Sequence, residues 1–160
     1  MKIRDLIISQ IEKKGKIDVS EFIDLCQFSN KGYYINNNPI GQNNDFITSP
    51  EISQMFGEII GMFFINFWKK NIKGDFNLIE LGPGTGTLIE DIIRTTKLSK
   101  DFLNSVNIFL IEKNDTLIKK QKERLSNYNV KKINWFKDFE IRNNKPSIVY
   151  SNEFFDCFSV

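Results

Sequence analysis

Histidine is absent from this sequence of 160 residues, and so is alanine. Without an imidazole, the chain by itself can build no Ser-His or Cys-His nucleophile pair and no His-metal site. Cysteine is scarce as well. Cys26 and Cys157 fit no metal-ligand spacing and suggest no disulfide framework, so both are expected to be reduced thiols. An excess of charge is also missing: the formal net charge of +2 is too small to argue for nucleic acid or an anionic membrane. The longest apolar region, "MFGEIIGMFFINFW", has 14 residues and contains Glu58, too short and too charged for a bilayer span. The amphipathic "MKIRDLIISQIEKKGK" carries charge throughout and is expected to be a helix, not a signal peptide. The missing alanine accompanies an abundance of Lys, Ile and Asn, which reads as a codon bias toward AT-rich DNA and accounts for the Asn-rich loops.

What remains is the composition of a globular domain, 41% hydrophobic and 26% charged, long enough for a real core. Residues 3 to 14 place Ile3, Leu6, Ile7 and Ile11 on one helix face, with Gly15 as the stop. Asp18 is expected to cap a second helix that runs to about Cys26. Residues 29 to 47 hold turn formers among scattered aromatics and read as a long loop or loose hairpin. From Thr48 to Lys70 a single long helix is expected. Either Thr48 and Glu51 form a capping box, or Ser49 caps with Pro50 following. Ile52, Met55, Phe56, Ile59, Ile60, Phe63 and Phe67 would make its buried face.

Strand and helix then alternate: strand 76 to 81, helix 85 to 95, strand 106 to 112, helix 115 to 126, and strands 130 to 136 and 147 to 152. That order predicts a parallel, twisted α/β sheet. Its ligands belong at the carboxyl ends of the strands, near the switch point of the topology.

The stretch "FNLIELGPGTGTLIEDIIR" lies at such a place. Gly82, Gly84 and Gly86 follow the first strand, where positive φ and close approach of a ligand to the backbone are wanted. A P-loop needs a lysine after the last glycine, and none is present. A dinucleotide turn needs G-x-G-x-x-G, but Thr87 stands in the third place. The remaining pattern, E-x-G-x-G-x-G, resembles motif I of S-adenosylmethionine-dependent methyltransferases. Its ligand has no phosphate and carries a sulfonium beside which Glu80 would be tolerated. Glu112 ends the second strand, where a carboxylate can accept both ribose hydroxyls. Glu153 and Asp156 follow the last strand among Phe154, Phe155 and Phe158, and Asp45 sits in the N-terminal loop.

The stretches "GYYINNNPIGQNNDFITSPEISQMFGEIIG", "LIELGPGTGTLIEDIIR", "LIKKQKERL" and "SIVYSNEFFDCFSV" resemble, in this order, the MidA-type methyltransferases. The resemblance covers about Gly32 to Val160, and its D-F-x-T-S-P-E and N-E-F-F-D stretches are more specific than the glycines. It implies a class I Rossmann-like methyltransferase sheet with strand order 3-2-1-4-5-7-6, of which this chain supplies strands 1 to 4 after an N-terminal helical and loop extension. Residues 1–73 would be that extension and 74–160 the first half of the methyltransferase domain.

The resemblance also implies S-adenosyl-L-methionine as cofactor. Gly82, Gly84 and Gly86 would form its loop, Glu112 would bind its ribose, and Glu80 and Asn152 would stand beside it. Asp45, Thr48, Ser49, Pro50 and Glu51 match the family's N-terminal motif. Asn152, Glu153 and Asp156 match its motif after strand 4, and Cys157 stands where the family usually has alanine. Asp45, Glu153 and Asp156 would carry the catalytic role. The substrate would be a protein arginine, connected in the mitochondrial members with respiratory complex I assembly. Partners would be that protein substrate, no nucleic acid, no membrane insertion, and a second chain if one supplies the missing strands. The location would be cytoplasmic in a bacterium and the mitochondrial matrix in a eukaryote. Two other readings stay open: a truncated, non-catalytic remnant or assembly partner, and a nucleotide-dependent oxidoreductase, which Thr87 disfavours. In a sheet that stops at strand 4, "SIVYSN" would be an unguarded edge, with an apolar patch beside Ile148 and Tyr150.

Overall fold

The computed structural model describes residues 2–36, 46, 48–128, 130, 133–140 and 143–159. The chain divides into two units, one made of Met1–Pro39 with Glu153–Val160, the other of Ile40–Asn152.

In the first unit, α1 (Ile3–Lys14) ends where Gly15 turns left-handed at φ 78° and donates its N–H to the Ile11 carbonyl. The Asp18 carboxylate accepts from Glu21 N at 2.7 Å and starts α2 (Val19–Phe28). A short helix, α3 (Tyr33–Asn36), forms inside the stretch expected to be loop. A 3-10 turn at Phe155–Cys157 completes the unit. Its aromatics gather on Phe158, whose ring centroid lies 5.0 Å from that of Phe28 and 4.9 Å from that of Phe154.

The second unit carries the sheet. The expected single helix from Thr48 is two helices, α4 (Ser49–Ile52) and α5 (Gln54–Asn71). They part at Ser53, a residue of modest helix propensity that is extended here at φ −144° and ψ 116°. Thr48, not Ser49, is the N-cap of α4, and the Thr48 side chain makes no capping bond. The expected buried face of α5 is also wrong. Gly57, Gly61, Phe64, Ile65 and Trp68 are buried, whereas Met55 is 64% and Phe63 59% exposed, with Ile52, Ile59 and Phe67 also exposed. Phe56 and Ile60 are half-buried against the core. The reason is steric. At Gly61 an added Cβ would sit 3.1 Å from Thr95 Cβ, and at Gly57 it would run into Asp91 Cβ. Only the glycine face lets the next helix come this close.

β1 (Phe76–Leu81) leads through the glycine turn into α6 (Thr87–Thr96). A short helix that the sequence reading did not include, α7 (Lys100–Ser105), seats the buried Phe102 in the core. Then follow β2 (Val106–Ile111), α8 (Asp115–Leu125), β3 (Ile133–Phe136) and β4 (Ser147–Ser151). Residues 131–132 of the third expected strand lie outside the described residues. All pairings are parallel, in the order β3-β2-β1-β4. The sheet is thus the Rossmann-like α/β arrangement that strand–helix alternation predicts, with β1 at its centre.

Strand residues alternate between the two faces. Phe76, Leu78, Val106, Ile108 and Leu110 meet Phe64, Ile65 and Trp68 of α5 and Leu88, Ile89, Ile92 and Ile93 of α6 in one core. Ile148 and Tyr150 pack against that same core, so the expected patch beside them does not form there. On the opposite face Val149 of β4 is 47% exposed, and at the far edge of the sheet Phe136 of β3 stacks on Phe109 at 5.8 Å, with Ile79 and Ile111 buried between. Among the described residues, no helix is long and apolar enough to cross a membrane.

Candidate functional site

The turn after β1 is built from three left-handed glycines. Gly82, Gly84 and Gly86 have φ values of 63°, 55° and 84°, where a side chain would be strained. Gly82 N donates to the Ile111 carbonyl at 3.0 Å, carrying the β1–β2 pairing one residue further. Gly86 N donates to the Pro83 carbonyl at 2.8 Å and closes the turn, and Gly86 is the N-cap of α6 with no side chain to cap it. The N–H groups of the first turn of α6 have no carbonyl one turn earlier to receive them.

Gln121 of α8, which sequence reasoning missed, holds this turn from below. Its Nε2 donates to the Gly84 carbonyl at 2.8 Å, and its Oε1 accepts from Trp135 Nε1 at 3.0 Å. The side chain is fully buried. A signal was available: Leu117, Gln121 and Leu125 stand four residues apart on the buried face of α8, and an amide there must find partners.

The two acids of the turn differ in environment. Glu80 is 2% exposed, and its Oε2 accepts from Tyr150 Oη at 3.0 Å across the β1–β4 pairing. Burial pushes its carboxyl up to about 8, against the Tyr150 hydrogen bond and with a further push from the Glu112 charge. The Tyr150 phenol is in turn raised by burial and by Glu80. Glu112 follows the end of β2, with its N–H on the Phe136 carbonyl at 2.9 Å. Its Oε1 accepts from Asn114 N at 2.9 Å. Burial raises its pKa, opposed by the N–H groups of Asn114 and Lys113 and by the Gln121 side chain.

The glycines, Glu80 and Glu112 therefore come together at the carboxyl ends of β1 and β2. Asn152 is half-buried directly after β4, the other neighbour of β1. Asp45 lies outside the described residues. Glu153 and Asp156 belong to the first unit, where both are exposed. Glu153 has a positive φ of 47°, and the Asp156 charge helps raise the Cys157 thiol and the Tyr34 phenol, both pushed up mainly by burial.

Glu51 does not cap α4 as the sequence suggests. Its Oε1 accepts from Thr87 Oγ1 at 2.7 Å and also from Thr85 Oγ1, and the two hydroxyl oxygens are 2.9 Å apart. A carboxylate from α4 is thus tied to both sides of the N-cap of α6.

A parallel sheet in this order, with a glycine turn after its first strand and an acid after its second, defines a Rossmann-like fold with its ligand turn after β1. A family described as "Putative S-adenosyl-L-methionine-dependent methyltransferase" matches residues 59–160, and the chain belongs to that family. The chain is similar to the mitochondrial protein arginine methyltransferase NDUFAF7 of Bos taurus, 33% identical over 96% of this chain and 40% of that protein. It is also similar to its homologue in Drosophila melanogaster, 39% identical over 72% of this chain and 27% of that protein. A crystal structure of a Burkholderia thailandensis protein bound to S-adenosyl-homocysteine superposes with a TM-score of 0.72, at 18% identity, over 92% of this chain and 40% of that one. The chain therefore spans about 40% of the length of the curated relatives it matches.

Proposed function

We propose that this chain binds S-adenosyl-L-methionine at the turn after β1 and belongs to an enzyme that methylates a protein side chain, an arginine. The observation that carries the reading is the set of three left-handed glycines after β1 together with an acid directly after the adjacent parallel strand β2. The residues present fit such a ligand. The turn has no side chain at its three glycines, and Glu112 offers a carboxylate after β2, an acceptor for hydroxyl donors. Ribose hydroxyls are donors of that kind. Asn152, at the end of β4, is the remaining cofactor contact in this reading.

When bound, the cofactor supplies a methyl group on a sulfonium for in-line displacement. The protein has to align donor and acceptor. An arginine acceptor is a guanidinium with pKa above about 12, so carboxylates must hold it and turn a nitrogen toward the methyl. Asp45, Glu153 and Asp156 take that role here, since carboxylate–guanidinium bonds are charge-assisted and bidentate. The relatives named as protein arginine methyltransferases support arginine as acceptor. A role in respiratory complex I assembly rests on the MidA-type resemblance. Isothermal titration of the purified chain with S-adenosylmethionine, S-adenosylhomocysteine and NAD tests the cofactor. The adenosyl ligands should bind and NAD should not. Glu112→Ala should weaken binding by about tenfold or more, since each hydrogen bond to a charged acceptor contributes roughly 1.5–3 kcal/mol. Binding of NAD alone would replace this reading with the oxidoreductase one.

A further inference from the structure

The Glu51 carboxylate is bound by the hydroxyls of Thr85 and Thr87, the residues on either side of the α6 N-cap. The N-terminus of a helix attracts anions through its free N–H groups and its dipole, and phosphate-binding βα turns use that place for the ligand. In this chain Glu51 arrives there from α4, 36 residues before its partner Thr87, the first residue of α6. Its second partner, Thr85, is the residue just before the N-cap. Two hydroxyls fix one carboxylate oxygen, so the side chain is held in place and not merely near. No lysine or arginine occurs between Glu80 and Thr87 to offset its charge.

We infer that Glu51 is the specificity-determining residue of the turn: it meets the positive end of α6 with the protein's own anion and so excludes nucleotides that carry phosphate. A second anion at that place would face direct repulsion from the first. An adenosyl amino acid carries no phosphate, and its single carboxylate is offset by its own ammonium and, in S-adenosylmethionine, by the sulfonium as well. The inference deepens the cofactor reading above and rests on it for the identity of the accepted ligand, not for the exclusion of phosphate. A purely structural role, pinning α4 to the turn, would predict no change in ligand preference when the charge alone is removed.

Glu51→Gln is the test, because the amide oxygen can still accept from both threonines. Binding of ADP and of S-adenosylhomocysteine is measured by titration calorimetry, with circular dichroism to verify the fold. In the parent, S-adenosylhomocysteine should bind and ADP should not. In Glu51→Gln, ADP affinity should rise at least tenfold and fall again with added salt, while S-adenosylhomocysteine affinity changes less than threefold. Should Glu51→Gln fail to fold, Thr87→Val releases the carboxylate from α6 and should shift the preference toward ADP in the same direction. Unchanged ADP affinity in a folded variant overturns the inference, as does a parent that binds ADP as tightly as S-adenosylhomocysteine. A parent that binds neither ligand, with a variant that gains ADP, overturns the cofactor reading and leaves the exclusion by Glu51 supported. If neither protein binds either ligand, both fall.

Discussion

Glu80 sits in the central strand, paired with Leu110 on one side and Tyr150 on the other, and burial keeps it protonated to about pH 8. Its folded pKa lies above the ordinary value of 4.5, so the native state binds a proton that the unfolded chain has released. The stabilisation is complete below about pH 4.5 and is lost as pH rises to about 8. Between those limits one proton contributes a slope of about −1.4 kcal/mol per pH unit to the unfolding free energy. Glu80→Gln keeps an acceptor for Tyr150 and removes the titration. Urea unfolding should show the variant equal to the parent near pH 4 and more stable at pH 9. A parallel pair of curves across that range would mean that Glu80 is ionised throughout. Gly84 is the other residue-scale test. Gly84→Val forces a branched side chain into φ 55° in the turn proposed to hold the cofactor, so adenosyl binding should vanish. The circular dichroism spectrum should survive, and an unfolded variant would show that the glycine serves the fold instead.

At the scale of elements, the contact between α5 and α6 decides which residues reach the core. Apolar residues recur around most of α5, so periodicity alone picks no face. Gly57 and Gly61 pick it, because they alone allow Asp91, Ile92 and Thr95 to approach. Gly57→Ala should therefore destabilise the fold by about 1–3 kcal/mol through overpacking, although alanine in an exposed helix interior would gain up to about 1 kcal/mol. Thermal unfolding of Gly57→Ala measures the net of the two effects, and Gly15→Ala beside it gives a glycine replaced without overpacking. At Gly15 an added Cβ meets nothing within 4 Å, and the cost there comes from the left-handed φ alone. A stabilised Gly57→Ala would show that the helices can move apart freely.

For the whole molecule, two apolar surfaces stand open in the second unit. One is Ile52 of α4 with the α5 face of Met55, Ile59, Met62 and Phe63, and the other is the β4 edge at Val149. β4 is an edge strand of the described sheet, and "SIVYS" has neither proline nor charge to discourage pairing. Exposed apolar area of this kind marks an interface or an aggregation site. Light scattering of the purified chain should give a mass above the monomer's 18.7 kDa. The combination Val149→Lys with Ile59→Glu should lower it. A monodisperse parent monomer would show that these surfaces do not associate.

Local chemistry was enough to read much of this protein from its residues. Gly15 as a helix stop and Asp18 as a cap depend on the backbone within one turn, and both hold. The alternation of strand and helix, and the glycines between β1 and α6, are likewise short-range patterns, and they point to the 3-2-1-4 sheet and its ligand turn. Other features depend on residues far apart in the chain. The break at Ser53, the buried glycine face of α5, and the protonation of Glu80 under Tyr150 each need a partner element in place. So do Gln121, which reaches Gly84 across 37 residues, and Glu51, which reaches Thr85 across 34. Sequence spacing carries no distance information at that range. Only packing α4, α6 and α8 around one turn could decide that two polar side chains outside the glycine motif would hold it.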